Sequence, residues 1–289
     1  MKYLVTSLLI TILFLGVLIS EIPDNYLHVI ACDVGQGDAI LVTYKKIQLL
    51  TDGGPNNKVI DCLSRHMPFW DREINLVVST HPDADHSTGL VEVVKRYKVN
   101  NILLNPIDSG TQTIKVLEKM VGSKGVGVLT PHEGQVLGVD LIHLDIFNPS
   151  AYQTSQLSEK AVQSDLNFYK PIEATNEYSI TYKLSFKDFS GLFTGDFGPE
   201  VSERLSTENK IGQVNYIKVP HHGSKNGITE SLVKNLMPKV GIISVGKNSY
   251  GHPSVGVIEI LEKYKVKIYR TDMDGDVEVV TDGRKLWFK

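Results

Sequence analysis

Thr80-His81-Pro82-Asp83-Ala84-Asp85-His86-Ser87-Thr88-Gly89 follows directly on an apolar, strand-like run at 74–79. Four metal-competent side chains, His81, Asp83, Asp85 and His86, fall within six residues. Carboxylates and imidazoles crowded at the end of a strand repel or desolvate one another unless a cation joins them. His81, Asp83 and Asp85 are spaced two apart, so an extended segment points all three to one side. The bland alternative is a helix cap, with Asp85 or Ser87 capping a helix that starts near Thr88. Capping needs one such residue and leaves the other three unexplained.

Working outward in both directions, four further apolar runs each lead to a chemically useful residue: 47–51 to Asp52, 191–194 to Asp196, 216–219 to His221, and 240–245 to His252. Loops at the edge of a sheet are where rigid strands present ligands. Further strands read at 27–32, 39–44, 76–79, 101–104, 126–129, 139–144, 178–186, 267–269 and 277–280. Helices read at 59–66, 90–97, 113–121, 200–205, 229–236 and 255–264. Asp33-Val34-Gly35-Gln36-Gly37-Asp38, with two glycines in four residues, is a tight turn or a close backbone approach. The polar stretch 150–167 reads as a loop over the site.

A set of His and Asp without Cys suits Zn²⁺, Mn²⁺ or Fe rather than a structural zinc site. It also exceeds what one tetrahedral ion needs. Two ions bridged by Asp196 and a water would use it, and such pairs suit phosphodiester hydrolysis.

The bulk properties narrow the field. The chain has 289 residues with a net charge of -3, which gives no global basic footprint for nucleic acid. Two cysteines, Cys32 and Cys62, make no disulfide framework and no C-x-x-C pair. They read as buried free thiols, although a disulfide is open to a domain outside the cytoplasm. Lys2 precedes an almost wholly apolar run at 3–19, with no A-x-A pattern after it. Residues 1–22 therefore read as an uncleaved signal-anchor or a signal peptide. Residues 23–289 form the folded domain, which is placed extracytoplasmically, membrane-anchored or secreted.

His-x-Asp-x-Asp-His followed by Ser-Thr-Gly, then Thr194-Gly195-Asp196, resembles the metallo-β-lactamase superfamily. Within it, 33–39, 81–86, Val219-Pro220-His221-His222-Gly223-Ser224, Tyr250-Gly251-His252-Pro253 and Tyr269-Arg270-Thr271-Asp272 resemble the extracellular domain of the ComEC family of competence DNA-uptake channels. The resemblance covers about 26 to 281 and implies a four-layer αββα sandwich with a dinuclear site at the edge of its two sheets. It implies that His81 and Asp83 ligate one metal, Asp85 and His86 the other, and that Asp196 bridges. His252 or His221 fills the last histidine position. Asp52 looks like a supporting aspartate behind a ligand, and Asp33 and Asp38 are read as further supports. His222 orients a neighbour or contacts substrate. Lys218 and Ser224 read either as phosphate contacts or as plain exposed side chains.

Two departures matter. Asp83 stands where the superfamily usually has His, which makes that half of the site harder and more negative and shifts its preference toward Mn²⁺ or Mg²⁺. The usual third-motif histidine has no clear counterpart, with His132 and His143 in roughly the right stretch. The expectation is a hydrolase with two divalent ions that cleaves phosphodiesters such as single-stranded DNA. A hydroxide formed on the metal is the nucleophile, Asp85 orients it or accepts its proton, and His221 or His222 helps to stabilise developing charge. The rivals are a hydrolase of lactones, β-lactams or small esters, and a non-catalytic surface module that grasps DNA.

Overall fold

The computed structural model describes residues 2–20, 22–105, 107, 110–155 and 175–289. Two sheets lie face to face. The first has the order β15-β14-β1-β2-β3-β4-β5-β6, the second β13-β12-β11-β10-β9-β8-β7. In the first sheet the strands are β1 (Leu27–Ala31), β2 (Ile40–Tyr44), β3 (Ile47–Thr51), β4 (Glu73–Ser79), β5 (Lys98–Leu104), β6 (Gly127–Leu129), β14 (Val277–Thr281) and β15 (Leu286–Phe288). In the second they are β7 (Val136–Val139), β8 (Ile142–Asn148), β9 (Thr181–Phe186), β10 (Phe189–Phe193), β11 (Tyr216–Lys218), β12 (Val240–Ile243) and β13 (Lys267–Arg270).

The two inner faces share one apolar layer, including Val29, Val42, Leu49 and Val78 from the first sheet and Leu144, Tyr182, Phe193 and Ile242 from the second. Alternate residues of the same strands turn outward, as the period of two requires. Thus Ile30, Leu41, Leu50 and Val77 pack under helices α2 (Lys58–His66), α3 (Ala84–Arg96) and α4 (Gln112–Lys124). Leu192, Ile217 and Ile243 pack under α5 (Pro199–Glu208), α6 (Glu230–Leu236) and α7 (Val255–Lys263). This is the expected αββα sandwich. Strands β3, β4 and β5 run parallel, and so do β10 to β13, because each crossover carries a covering segment. Their carboxyl ends therefore emerge along one edge, where both sheets deliver the site loops.

Lys2–Ser20 forms helix α1. Among the described residues no helix is long and apolar enough to cross a membrane. Residues 151–155 are helical, and the rest of the polar stretch expected as a loop over the site, from 156 on, lies outside the described residues. Three local expectations change. The single strand at 139–144 is a hairpin: Asp140 takes a left-handed φ of 52° and turns β7 into β8. The strand expected at 178–186 starts at Thr181, after a 3₁₀ turn at Thr175–Tyr178. The helix expected at 90–97 begins at Ala84, six residues earlier, with Asp83 at its N-cap position.

The cysteines also differ from expectation. Cys32 and Cys62 are bonded to each other, with Cα atoms 5.9 Å apart, rather than existing as free thiols. Cys32 ends the β1 side of the site loop, and Cys62 sits on the buried face of α2, which lies over that strand end. Thirty residues of sequence separate them, so only the crossover geometry brings the sulfurs together.

Candidate metal centre

Because α3 starts at Ala84, the opening motif is not extended throughout, and the expected two-apart alignment does not hold. His81 leaves β4 in extended chain. Asp83 accepts the first helical N–H groups from His86 and Ser87 through its carbonyl. Asp85 and His86 then stand on the first helical turn. His86 joins Leu90, Val93 and Val94 on the buried face, at helical spacing. Glycines allow this turn to sit close. A Cβ at Gly89 would come within 1.9 Å of the Gly53 carbonyl oxygen, and one at Gly37 within 2.2 Å of the Asp85 carbonyl oxygen.

Asp52, expected as a support, holds the first half of the site together. Its carboxylate accepts from the Thr80 backbone N–H at 2.8 Å, the Thr80 hydroxyl at 2.7 Å and His86 Nδ1 at 2.8 Å. The Thr80 hydroxyl donates to Asp52, so its remaining lone pair receives Nδ1–H of His81 at 3.0 Å. His222 Nδ1–H donates to the Ser244 carbonyl at 2.8 Å. In all three rings the Nδ1 hydrogen is used by protein oxygen, and Nε2 faces the centre.

The centre is filled by those three nitrogens and two carboxylates. His86 Nε2 lies 3.2 Å and His222 Nε2 3.1 Å from Asp196 Oδ2, and His222 Nε2 is 3.3 Å from Asp85 Oδ2. His81 stacks obliquely on His86 at 4.1 Å between ring centroids, and its Nε2 is 3.8 Å from Asp83 Oδ2. Yet Nε2 of His81, His86 and His222 are all buried without a hydrogen-bond partner. For His86 and His222 the carboxylate of Asp196 lies at 3.1–3.2 Å, an ion-pair contact whose angles fall outside hydrogen-bond geometry. Buried polar atoms are rarely left so. Donor atoms converging on one point, each with its far side tied to protein, are what a divalent cation requires, and the residues fit one.

The electrostatics agree. Burial pushes the His81 imidazole down to about 4, helped by the neighbouring His86 charge. Burial also works against charge on His86 and His222, but Asp196 and other carboxylates outweigh it and hold both well above the ordinary value. Burial would raise the Asp196 carboxyl, yet His222, His86 and Lys218 hold it well below the carboxylate range. An entering cation exchanges against the protons these rings carry.

The remaining expected residues are placed as follows. His221 and His222 both adopt left-handed backbone, φ 51° and 53°, a conformation in which non-glycine residues are uncommon and which marks a functional constraint. The double turn drives His222 inward, whereas His221 contributes its backbone N–H to Asp196 Oδ1 at 3.2 Å. The His221 ring meets the His252 ring at 5.6 Å, outside the group of converging nitrogens. Thus His222, and not His221 or His252, has its Nε2 against Asp196 and Asp85. Asp83 is half-exposed and accepts from the Thr175 hydroxyl at 2.8 Å. Asp33 does not support a ligand: its carboxylate accepts from the Gly35 backbone at 3.1 Å, in the manner of an Asx turn, and lies 3.9 Å from Lys58. His132 and His143 are exposed and belong to no site. Ser224 is buried and accepts from the Asn226 backbone at 3.2 Å.

Lys218 is the largest surprise. It was expected as a phosphate contact or an exposed side chain, but only 1 % of it is exposed, and its ammonium meets Asp38, Asp196 Oδ1 and the Gly195 carbonyl. In sequence it ends a short strand like any edge residue, and only the two Asp-bearing loops closing over it bury it.

Comparison with known proteins places this architecture. The chain is 25% identical over 266 residues to ComE operon protein 3 of Bacillus subtilis, covering 85% of this chain and 32% of the relative. It is 25% identical over 276 residues to Recombination protein 2 of Haemophilus influenzae, covering 94% of this chain and 31% of the relative. The chain thus spans about a third of the length of these curated relatives. Among solved structures it is similar to the metallo-beta-lactamase fold protein YhfI of Bacillus subtilis, with TM-score 0.57, 9% identity and coverage of 91% of this chain and 100% of that one. It is also similar to CmlA, a diiron beta-hydroxylase of Streptomyces venezuelae, with TM-score 0.55, 11% identity and coverage of 90% and 54%. The sequence model of the metallo-beta-lactamase superfamily matches residues 32–247. With that match and an αββα fold whose sheet edge gathers His81, Asp85, His86, Asp196 and His222, the chain belongs to the metallo-beta-lactamase superfamily.

Proposed function

We propose that this chain is a divalent-metal-dependent hydrolase of phosphodiesters, with single-stranded nucleic acid as the favoured substrate class. The observation that carries the metal reading is the Nε2 atoms of His86 and His222, buried, without hydrogen-bond partners and 3.1–3.3 Å from carboxylate oxygens of Asp196 and Asp85, with the buried, unpartnered Nε2 of His81 on the ring beside His86. Bound there, divalent ions would lower the pKa of water and offset charge developing on a phosphoryl group. His81, His86, His222, Asp85 and Asp196 would hold them, with Asp83 beside His81.

The protein's own groups define the rest. The Asp85 side chain is 35% exposed while the imidazoles and Asp196 are at most 3% exposed, so the pocket opens past Asp85. Asp85 is therefore the carboxylate placed to orient an incoming water and take its proton. Burial alone would raise it, but His222 and the His86 charge hold it below its ordinary range, so it stays ionised and orients the water as an acceptor while being only a weak base. His221 and His252 flank the pocket beside it, with their pKa values lowered by burial first. As neutral rings they can donate to a phosphoryl oxygen.

Two features favour a phosphodiester over a β-lactam or lactone. Asp83 brings a hard oxygen donor to a position where the superfamily usually has imidazole. Recombination protein 2 and the ComEC-type motifs support nucleic acid. The Cys32–Cys62 disulfide supports a location outside the reducing cytoplasm.

Metal-loaded protein is expected to hydrolyse bis(4-nitrophenyl) phosphate and single-stranded DNA, and to leave nitrocefin intact. Chelation, Asp85→Ala or Asp196→Ala removes the activity. Metal-loaded protein that binds DNA and cuts neither phosphodiester would overturn the enzyme reading in favour of a binding module.

A further inference from the structure

The glycine turn at 33–38 ends on a residue, Asp38, whose role the metal centre leaves unexplained. Asp38 is 1% exposed and lies within 4.8 Å of His86, Asp196 and His222 ligand atoms. Proximity alone would make it a ligand. Its contacts place it elsewhere. Asp38 approaches the backs of the rings, 3.8 Å from His86 Nδ1 and 3.4 Å from His222 Nδ1, whereas the converging atoms are Nε2. Its Oδ2 is taken by the Lys218 ammonium, and its Oδ1, buried without a hydrogen-bond partner, lies toward His222 Nδ1.

That ammonium also meets Asp196 Oδ1 at 3.3 Å, and the His221 backbone N–H reaches the same oxygen at 3.2 Å. Asp196 Oδ1 is thus fully engaged by protein, and only Oδ2 faces the imidazoles. The turn is built to deliver Asp38 to this spot. The Asp38 backbone N–H donates to the Asp85 carbonyl at 3.2 Å, and Gly37 packs against the same carbonyl where a Cβ would not fit. Gly246 closes the other side, where a Cβ would come within 2.4 Å of the Gln36 nitrogen.

We infer that Asp38 and Lys218 form a buried ion pair that positions Asp196, fixing it to present a single oxygen to the metal. Neither residue ligates the metal. The inference rests on the metal centre proposed above but not on its substrate.

The sign of one measurement separates this from the simple alternative. An ammonium beside a cation site repels the cation. If charge were its whole effect, removing it would tighten metal binding. If it positions Asp196, removing it frees Oδ1 and loosens the site, and supporting residues of this kind typically change metal affinity by about 10–100-fold. Co²⁺ serves as the probe. In Lys218→Met, Co²⁺ affinity by titration is expected to fall at least about tenfold. The visible absorption band of the bound ion is expected to change intensity as a second carboxylate oxygen becomes available. Asp38→Asn, which keeps the ammonium but not its anchor, is expected to show the same changes at smaller size. It also serves if Lys218→Met does not fold. Unchanged or tighter Co²⁺ binding with an unchanged spectrum in a folded variant overturns the inference. Wild-type protein that binds Co²⁺ normally but hydrolyses no phosphodiester would defeat the proposed function and leave this one standing.

Discussion

Among the described residues, two clusters bring metal-competent side chains equally close, and they are opposites. One is His86, Asp196 and His222 with Asp38 behind them; the other is Cys62, His66 and Asp276. In the first, Nε2 of His86, Nε2 of His222 and Oδ1 of Asp38 are buried without hydrogen-bond partners. In the second everything is spoken for. Cys62 is bonded to Cys32, and Asp276 accepts from the Asp33 backbone at 2.8 Å, from Arg65 at 2.6 Å and from His66 at 2.9 Å. Proximity is common to both, and only the first leaves donor atoms that a cation would complete. The first reads as a centre, the second as a clasp tying α2 to the loops at 33 and 276.

The largest effect should come from the first cluster. His222→Ala or Asp196→Ala is expected to weaken metal binding by on the order of a hundredfold or more, beyond the loss typical of supporting residues. His66→Ala should retain the full metal complement by elemental analysis. Metal lost from His66→Ala and kept by His222→Ala would reverse the assignment of the two clusters. Next comes the clasp itself. Closing a 30-residue separation by a disulfide corresponds to about 3–4 kcal/mol on loop-entropy grounds. Cys32→Ser/Cys62→Ser should unfold correspondingly earlier in denaturant while binding metal with unchanged stoichiometry.

Asp276→Asn should cost less, about 1–3 kcal/mol, because it weakens charged bonds without opening the chain. Burial would raise this carboxyl, but His66, the Asp33 N–H and Arg65 hold it far below its ordinary 3.8. A depressed folded pKa gives stability that is present above about pH 4 and lost as pH falls through the folded value. The gap between wild type and Asp276→Asn should therefore be flat at neutral pH and close in acid. A gap that grows in acid would contradict the clasp.

The smallest effect has the opposite sign. His28 bonds Glu278 at 2.6 Å and Asp24 at 2.9 Å, and although burial opposes its charge, these partners raise its pKa. Its contribution, under about 1 kcal/mol, is present below pH 6.5 and fades as pH rises through the raised value. The stability difference of His28→Asn should shrink toward alkaline pH.

The two halves of the metal centre were unequally legible in sequence. His81, Asp85 and His86 are contiguous, and a strand end followed by a helix start suffices to bring them together. Asp52 and Asp196 follow apolar strands, so their place on the edge could be read as well. The second half depends on the signs of backbone angles. Whether His221 or His222 enters the centre is decided by two successive left-handed residues, and no side-chain pattern encodes that. Lys218 carries a charge that normally marks surface, and its burial follows from loops distant in sequence. The hairpin at Asp140 was missed because apolar residues continue across it, and the disulfide because a crossover helix, not spacing, aligns Cys62 with Cys32.

The contact of Gly89 with the Gly53 carbonyl, and of Gly37 with that of Asp85, means that the two edges of the pocket are registered main chain against main chain. Such a frame has no rotamers to drift and no side-chain volume to tune. Its rim does: the side chains of His221 and His252 meet each other outside that frame. The architecture therefore separates what is done from what it is done to. A lineage could change its clientele by editing the rim, while any residue larger than hydrogen at Gly37 or Gly89 would cost it the chemistry.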